Sequence, residues 1–139
     1  MTVVTSRTEL YADVQQFYAE QMQRLDNRDI HGYAKTFTET AEFEHTPGRP
    51  PARTRAGIIF DLVEFHKRFE ADPIQRRHWF NMINLQPQDD GTIVSTAYCL
   101  VVKIRPNSKP EIAPSCVVHD VLVRLGGQLL TQSRRVTHD

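Results

Sequence analysis

The sequence predicts an α+β domain, with helices packed on a mainly antiparallel sheet. Two observations carry this. Apolar residues recur at helical spacing up to Asp72-Pro73 and alternate with period two after it. The links between the alternating segments are short and turn-like, which makes neighbouring strands antiparallel. A chain of 139 residues has the length of a single domain, here residues 1–139, with a sizeable core.

The first helix opens at a capping box, with Ser6 as cap and Glu9 three residues on. Leu10, Val14, Phe17, Tyr18, Met22 and Leu25 then follow at helical spacing. Asp26 comes four residues after Met22 and eight after Tyr18, so its carboxylate points toward the covered side. Asp29 is a cap for a short second helix through Phe37. Alternation in AEFEH predicts a brief strand with Phe43 and His45 on one side, and GRPPARTRAG reads as a loop. Thr54 caps a third helix carrying Ile58, Ile59, Leu62, Phe65, His66 and Phe69, which Asp72-Pro73 ends. Segments 76–86, 92–105, 111–125 and 128–138 read as four strands. The economical packing is a strongly curved sheet wrapped around the helices, a cone with a pocket at its mouth.

Strand parity indicates what faces that pocket. With His78 inward, Phe80 and Met82 follow it. In the next strand Val94, Thr96, Tyr98, Leu100, Val102 and Ile104 form the more apolar row, which puts Tyr98 inside. In the last strand parity does not choose between the row of Thr131, Ser133 and Arg135 and the row of Leu130, Gln132 and Arg134. An aromatic, mostly apolar cavity with a few polar groups suits a small organic ligand. Within it a carboxylate at Asp26 that reaches His78 makes a general base. The plainer readings stay open: a buried histidine bonded to a backbone carbonyl, and an aspartate that caps the turn between two helices.

Composition narrows the classes. Lys plus Arg and Asp plus Glu number 17 each, so no charge excess points to nucleic acid or an anionic membrane. Hydrophobic residues at 40% and charged residues at 24% are ordinary for a globular protein, and no apolar run is long enough to span a bilayer. MTVVTSRTEL lacks the charged start and apolar stretch of a secretory signal. Cys99 and Cys116 fall inside predicted strands without metal-ligand spacing and read as buried thiols, so a cytoplasmic, reduced protein is expected. The six histidines show no HxxxH or HxH pair, so no metal site is expected. Adjacent His119 and Asp120 point to opposite faces, and GxGxxG, GxxxxGK[ST] and GxSxG are all missing.

The order of elements, together with LDNRD, RRHWFN and the closing VVHDVLVRLGGQLLTQSRRVTHD, resembles the SnoaL-like branch of the nuclear transport factor 2-like superfamily over nearly the whole chain. The resemblance implies the cone fold and relatives among polyketide cyclases, scytalone dehydratases, dehydrochlorinases and the small subunits of ring-hydroxylating dioxygenases. In the dehydratases and dehydrochlorinases an Asp ending the first helix pairs with a His on the strand after the third, and Asp26 and His78 match those positions. The last-strand Arg of the dehydrochlorinases is matched by Arg134. Departures are Leu25, where the dehydratases have Tyr, and apolar residues such as Val118 where they use a second His and an Asn. Asp120 is a candidate for the acidic residue of the cyclases.

The expected function is therefore a cofactor-independent enzyme on an aromatic or polyketide-derived intermediate, working by cyclisation, dehydration or isomerisation. The Asp26–His78 pair would catalyse, and Tyr18, Met22, Phe80, Met82, Tyr98 and Arg134 would bind substrate, with Tyr98 or Arg134 at the developing oxyanion. Alternatives are a ligand-binding accessory protein, or a structural small subunit with an idle pocket. A homodimer or higher homo-oligomer is the expected assembly, since the open face of such a sheet often pairs.

Overall fold

The computed structural model describes residues 6–139. Residues 1–5, part of the segment read for a secretory signal, lie outside them. The elements run α1 (Arg7–Asp26), α2 (Ile30–Ala34), β1 (Phe37–Glu44), β2 (Ala52–Arg53), α3 (Thr54–Lys67), β3 (Gln75–Pro87), β4 (Ile93–Ile104), β5 (Glu111–Leu125) and β6 (Gln128–His138). All six strands form one curved, unclosed sheet in the order β2-β1-β6-β5-β4-β3. Every pairing is antiparallel except β1 with β6. This is the expected α+β cone.

Local chemistry explains the element ends. Ser6 caps α1 by accepting the Glu9 N–H at 3.1 Å. Asp29 caps α2 through the Gly32 N–H at 3.0 Å. A Cβ at position 32 would stand 2.1 Å from the Asp29 carboxylate, so only glycine admits that cap. The second helix stops at Ala34, not Phe37, because Phe37 starts β1 and is buried among Tyr33, Ala41 and Ile58. Thr54 accepts the Gly57 N–H at 3.2 Å, as a cap does.

Along α1 every fourth residue from Leu10 to Met22 is buried against the concave side of the sheet. Leu10, Val14 and Tyr18 join Ile83, Ile93, Ala97, Leu122 and Leu129 in one cluster, and Met22 joins Tyr33, Phe37, Ala41 and Ile58 in the next. Between them lies a buried polar network. Arg134 donates through Nε to Asp120 Oδ1 at 2.9 Å and through Nη2 to Asp120 Oδ2 at 2.8 Å. Its remaining bonds go to Tyr33 Oη at 3.0 Å and Gln21 Oε1 at 2.6 Å. Tyr18 donates to Asp120 Oδ2 at 2.7 Å and stands 2.8 Å from Ser95 Oγ. Gln21 donates onward to Thr36 and Thr131. The guanidinium also lies 5.3–5.8 Å from the ring centres of Phe80, Phe37 and Tyr18.

The register shifts at four places in the sheet, and two of these bulges change which site residues face inward. On β3 the register slips between Asn81 and Asn84. Met82 takes φ 53° there, and Asn81 Oδ1 accepts its N–H at 2.8 Å. Met82 is therefore 69% exposed while Ile83 is buried, which corrects the inward placement of Met82. On β6 the slip at Gln132 lets both Thr131 and Arg134 face inward, so neither single row was complete. A third slip, between Leu100 and Val102, gives β5 one more residue than β4.

Tyr98 is a second correction. The inner row of β4 is Ile93, Ser95, Ala97, Cys99 and Val101, and Tyr98 stands 58% exposed on the outer face with Trp79 and Leu100. The inner row is small because α1 and the Arg134 network occupy the space it faces. Apolar content alone pointed to the wrong face.

Removing one member of the buried pair strands the other charge without water. Arg134→Met is expected to lower the unfolding free energy by about 3–5 kcal/mol. Adding Asp120→Asn should recover part of that, because no bare charge then remains. Urea unfolding of both variants measures this, and an Arg134→Met protein as stable as the wild type contradicts it.

Candidate active site

The mouth of the cone holds a cavity of about 1330 Å³, walled by α3, the end of α1 and the inner faces of β3–β6. Drug-sized ligand pockets run to roughly 1,000 Å³, so this one has room for a multi-ring molecule. Met22, Leu25, Phe43, Ile58, Phe80 and Val118 supply apolar walls.

Asp26 and His78 meet on this wall. Asp26 is the last residue of α1 and continues the every-fourth stripe of Leu10, Val14, Tyr18 and Met22. His78 faces inward two residues before Phe80 on β3, ahead of the bulge. Asp26 Oδ1 stands 2.6 Å from His78 Nδ1, and Asp26 Oδ2 accepts the His78 backbone N–H at 3.1 Å. The two bonds hold the carboxylate in the plane it needs. They also assign the tautomer, since an ionised carboxylate accepts only: Nδ1 carries the proton and Nε2 is left bare. A carboxylate at a helix C-terminus sits at the negative end of the helix dipole, where a cation is favoured beside it. An imidazolium formed on His78 would be such a cation.

The other expected binding residues divide. Met22 and Phe80 line the cavity. Tyr18 is buried with its hydroxyl held by Asp120 and Ser95, and it borders a smaller groove behind the pair. Burial, followed by the charge of Asp120, raises its pKa well above the usual phenol range, so it remains a phenol. Arg134 closes the floor, but its guanidinium is turned to Asp120, Tyr33 and Gln21. Burial works against its charge and Asp120 outweighs it, leaving the pKa raised. That geometry corrects the expectation of Arg134 at a developing oxyanion: it is a buried cation anchored in the scaffold. Met82 and Tyr98 lie on the other side of the sheet. Asp120 does face inward, as the partner of Arg134 and not as a free acid.

His45 is a cavity residue not singled out beforehand. It follows β1, with its ring 5.7 Å from that of Phe43 and 5.3 Å from that of His138. Burial, and then the neighbouring His138 and His78, push its pKa down to about 4. The ring is also more than a third exposed at the cavity mouth, so solvent screens part of that effect. The direction leaves a neutral imidazole at pH 7. The one available signal was its place beside Phe43 on the inward face of AEFEH.

Cys99 and Cys116 are register partners on β4 and β5, free and buried. Burial raises both thiols, Cys99 to about 12, which makes them unreactive cavity wall. Among the described residues, no group of three His, Cys, Asp or Glu is placed to hold a metal ion, and no helix is long and apolar enough to cross a membrane.

In an NMR titration His45 is expected to gain its proton at a lower pH than a free histidine, remaining neutral through pH 6. A His45 midpoint at or above about 6.5, the free value, would count against its crowded, neutral state.

Known structures share this fold. ActVI-ORFA from Streptomyces coelicolor is 56% identical, with a TM-score of 0.88, covering 94% of this chain and 97% of that one. A protein from Catenulispora acidiphila, solved in complex with S-DNPA, is 46% identical with a TM-score of 0.88, covering 96% of both chains. Aln2 from a Streptomyces species is 36% identical, also at 0.88, covering 99% of this chain and 95% of that one. No curated protein matches the chain in sequence. A family model for the SnoaL-like domain matches residues 6–135, from the cap of α1 to the residue after Arg134, and the chain belongs to that SnoaL-like family.

Proposed function

We propose that this protein is a cofactor-independent enzyme that abstracts a proton from carbon beside a carbonyl of an aromatic or polyketide-derived intermediate. The observation that carries the reading is the Asp26–His78 contact on the wall of a large apolar cavity. A structural histidine has no need of a carboxylate bonded to both its ring and its backbone. The S-DNPA complex of the Catenulispora acidiphila relative supports a small organic ligand in this fold.

His78 Nε2 takes the proton, and Asp26 holds the ring and stabilises the imidazolium that results. The enolate then cyclises, expels water or is reprotonated elsewhere, with His78 returning the proton. With Tyr98 on the outer face and the Arg134 guanidinium engaged by Asp120, the neutral ring of His45, which lines the cavity along with His66, would donate to the developing oxyanion.

Exchange of the α-protons of a bicyclic aryl ketone such as α-tetralone in D₂O, followed by NMR, tests the base directly. The wild type is expected to accelerate it, and His78→Ala to lose about 10²–10⁴ of that acceleration. Asp26→Asn should lose somewhat less, if Asp26 only orients and stabilises. Full acceleration in a folded His78→Ala protein would move the chain to the binding or structural class.

A further inference from the structure

One end of the cavity collects positive charge that the proton-transfer scheme does not use. The whole cavity is lined by eight Arg and Lys against three Asp and Glu, and of those cations Arg134, Arg53 and Lys67 are paired with Asp120, Glu42 and Glu64. The centre of this excess is Arg76. It lies on β3 two residues before His78, on the same inward face, so the two are about 7 Å apart along the strand. Its guanidinium is half-buried and lies over two rings, 4.5 Å from the centre of Phe69 and 4.9 Å from that of Phe65.

One acid, Asp72, acts on its charge, and that acid is shared with Arg105. Arg76 forms no ion pair among the described residues. The nearest acid on its side, Asp72, is held by Arg105 through two nitrogens at 3.1 Å, and Glu111 lies 3.8 Å from the same arginine. Directly opposite Arg76 in the β3–β4 register is Lys103, another cation lining the cavity. Like charges facing each other across strands are destabilising unless something sits between them. Arg28, from the turn after α1, is a third: it donates to the Ile74 carbonyl at 3.1 Å and lines the same end. On the facing side of the cavity, His66 of α3 has a buried Nδ1 with no hydrogen-bond partner. Burial, then Arg28 and Arg76, lower its pKa and outweigh the opposing effect of the Leu62 backbone one helical turn away, so it is a neutral ring. Burial, then Arg28 and Arg105, also lower that of Arg76, and Asp72 offsets them only in part. The group these side chains lack is an anion.

We propose that the substrate is an acid whose carboxylate docks on Arg76, flanked by Arg28 and Lys103, about 7 Å along β3 from the proton-transfer site at His78. This rests on the proposed function and narrows its substrate class. A guanidinium stacked on two rings presents its N–H edge as a planar fork, which matches the two oxygens of a carboxylate. The flat aromatic part of the substrate would then lie against Phe80 and Val118, with its reactive carbon toward His78. The anchored acid sets which carbon meets the base.

Isothermal titration with 2-naphthylacetic acid and its uncharged analogue 2-naphthylacetamide tests this. The wild type should bind the acid about 10- to 100-fold more tightly than the amide, the usual worth of a charge-assisted pair. Arg76→Gln should bring the acid down to the affinity of the amide and leave the amide unchanged, which also shows that the cavity remains folded. Arg77→Gln, altering the neighbour on the outer face, should change neither. Equal binding of acid and amide by the wild type, or a preference that survives Arg76→Gln, overturns the acid subsite alone. Failure of both probes to bind overturns the aromatic cavity as well, and with it the substrate class proposed above.

Discussion

The fully buried pair of Arg134 and Asp120 is the constraint on which the rest of this structure depends. Both side chains are essentially sealed from water. Desolvating two charges costs several kcal/mol each, so the pair is tolerable only if nearly every donor and acceptor is matched. Here the matching groups come from α1, α2, β4, β5 and β6. A network that is costly when half-made permits only one placement of α1 on the sheet. The end of that helix is Asp26. The geometry of the candidate site is thus set some distance away, by a cation that never needs to touch substrate.

Bulges make that placement possible. A regular β6 could present either Thr131 or Arg134 to the interior, not both, yet the network uses both. The extra residue at Gln132 resolves the conflict. On β3 the bulge at Met82 lets His78 and Phe80 face the cavity while Ile83 joins the core beneath α1. The sheet is therefore divided along its strands into a sealed lower part and an open mouth.

Much of this was legible in the residues. Helical spacing located α1 and placed Asp26 on its covered stripe, and parity located His78 and Phe80 because both precede the bulge. The errors have physical causes. Met82 adopts a left-handed backbone without glycine to announce it, its N–H met by Asn81. Tyr98 belongs to the more apolar row of β4, yet that row faces out, because α1 and the Arg134 network fill the space before the middle of the strand, where the inner residues are the small Ser95, Ala97 and Cys99. Arg134 was legible as inward-facing only with the bulge in hand, and its pairing with Asp120 depends on contacts distant in sequence. His45 and Arg76 carry no motif, and only the closed cone brings them to the same cavity.

The central claim is that this scaffold presents His78 as a base, with Nδ1–H held by Asp26 and Nε2 bare toward the cavity. Long-range ¹⁵N–¹H correlation spectra of the neutral His78 ring report which nitrogen carries the proton. The Nδ1–H tautomer is expected in the wild type, lost or mixed in Asp26→Ala. A wild-type ring protonated on Nε2 would leave no basic nitrogen facing the substrate and would contradict the claim.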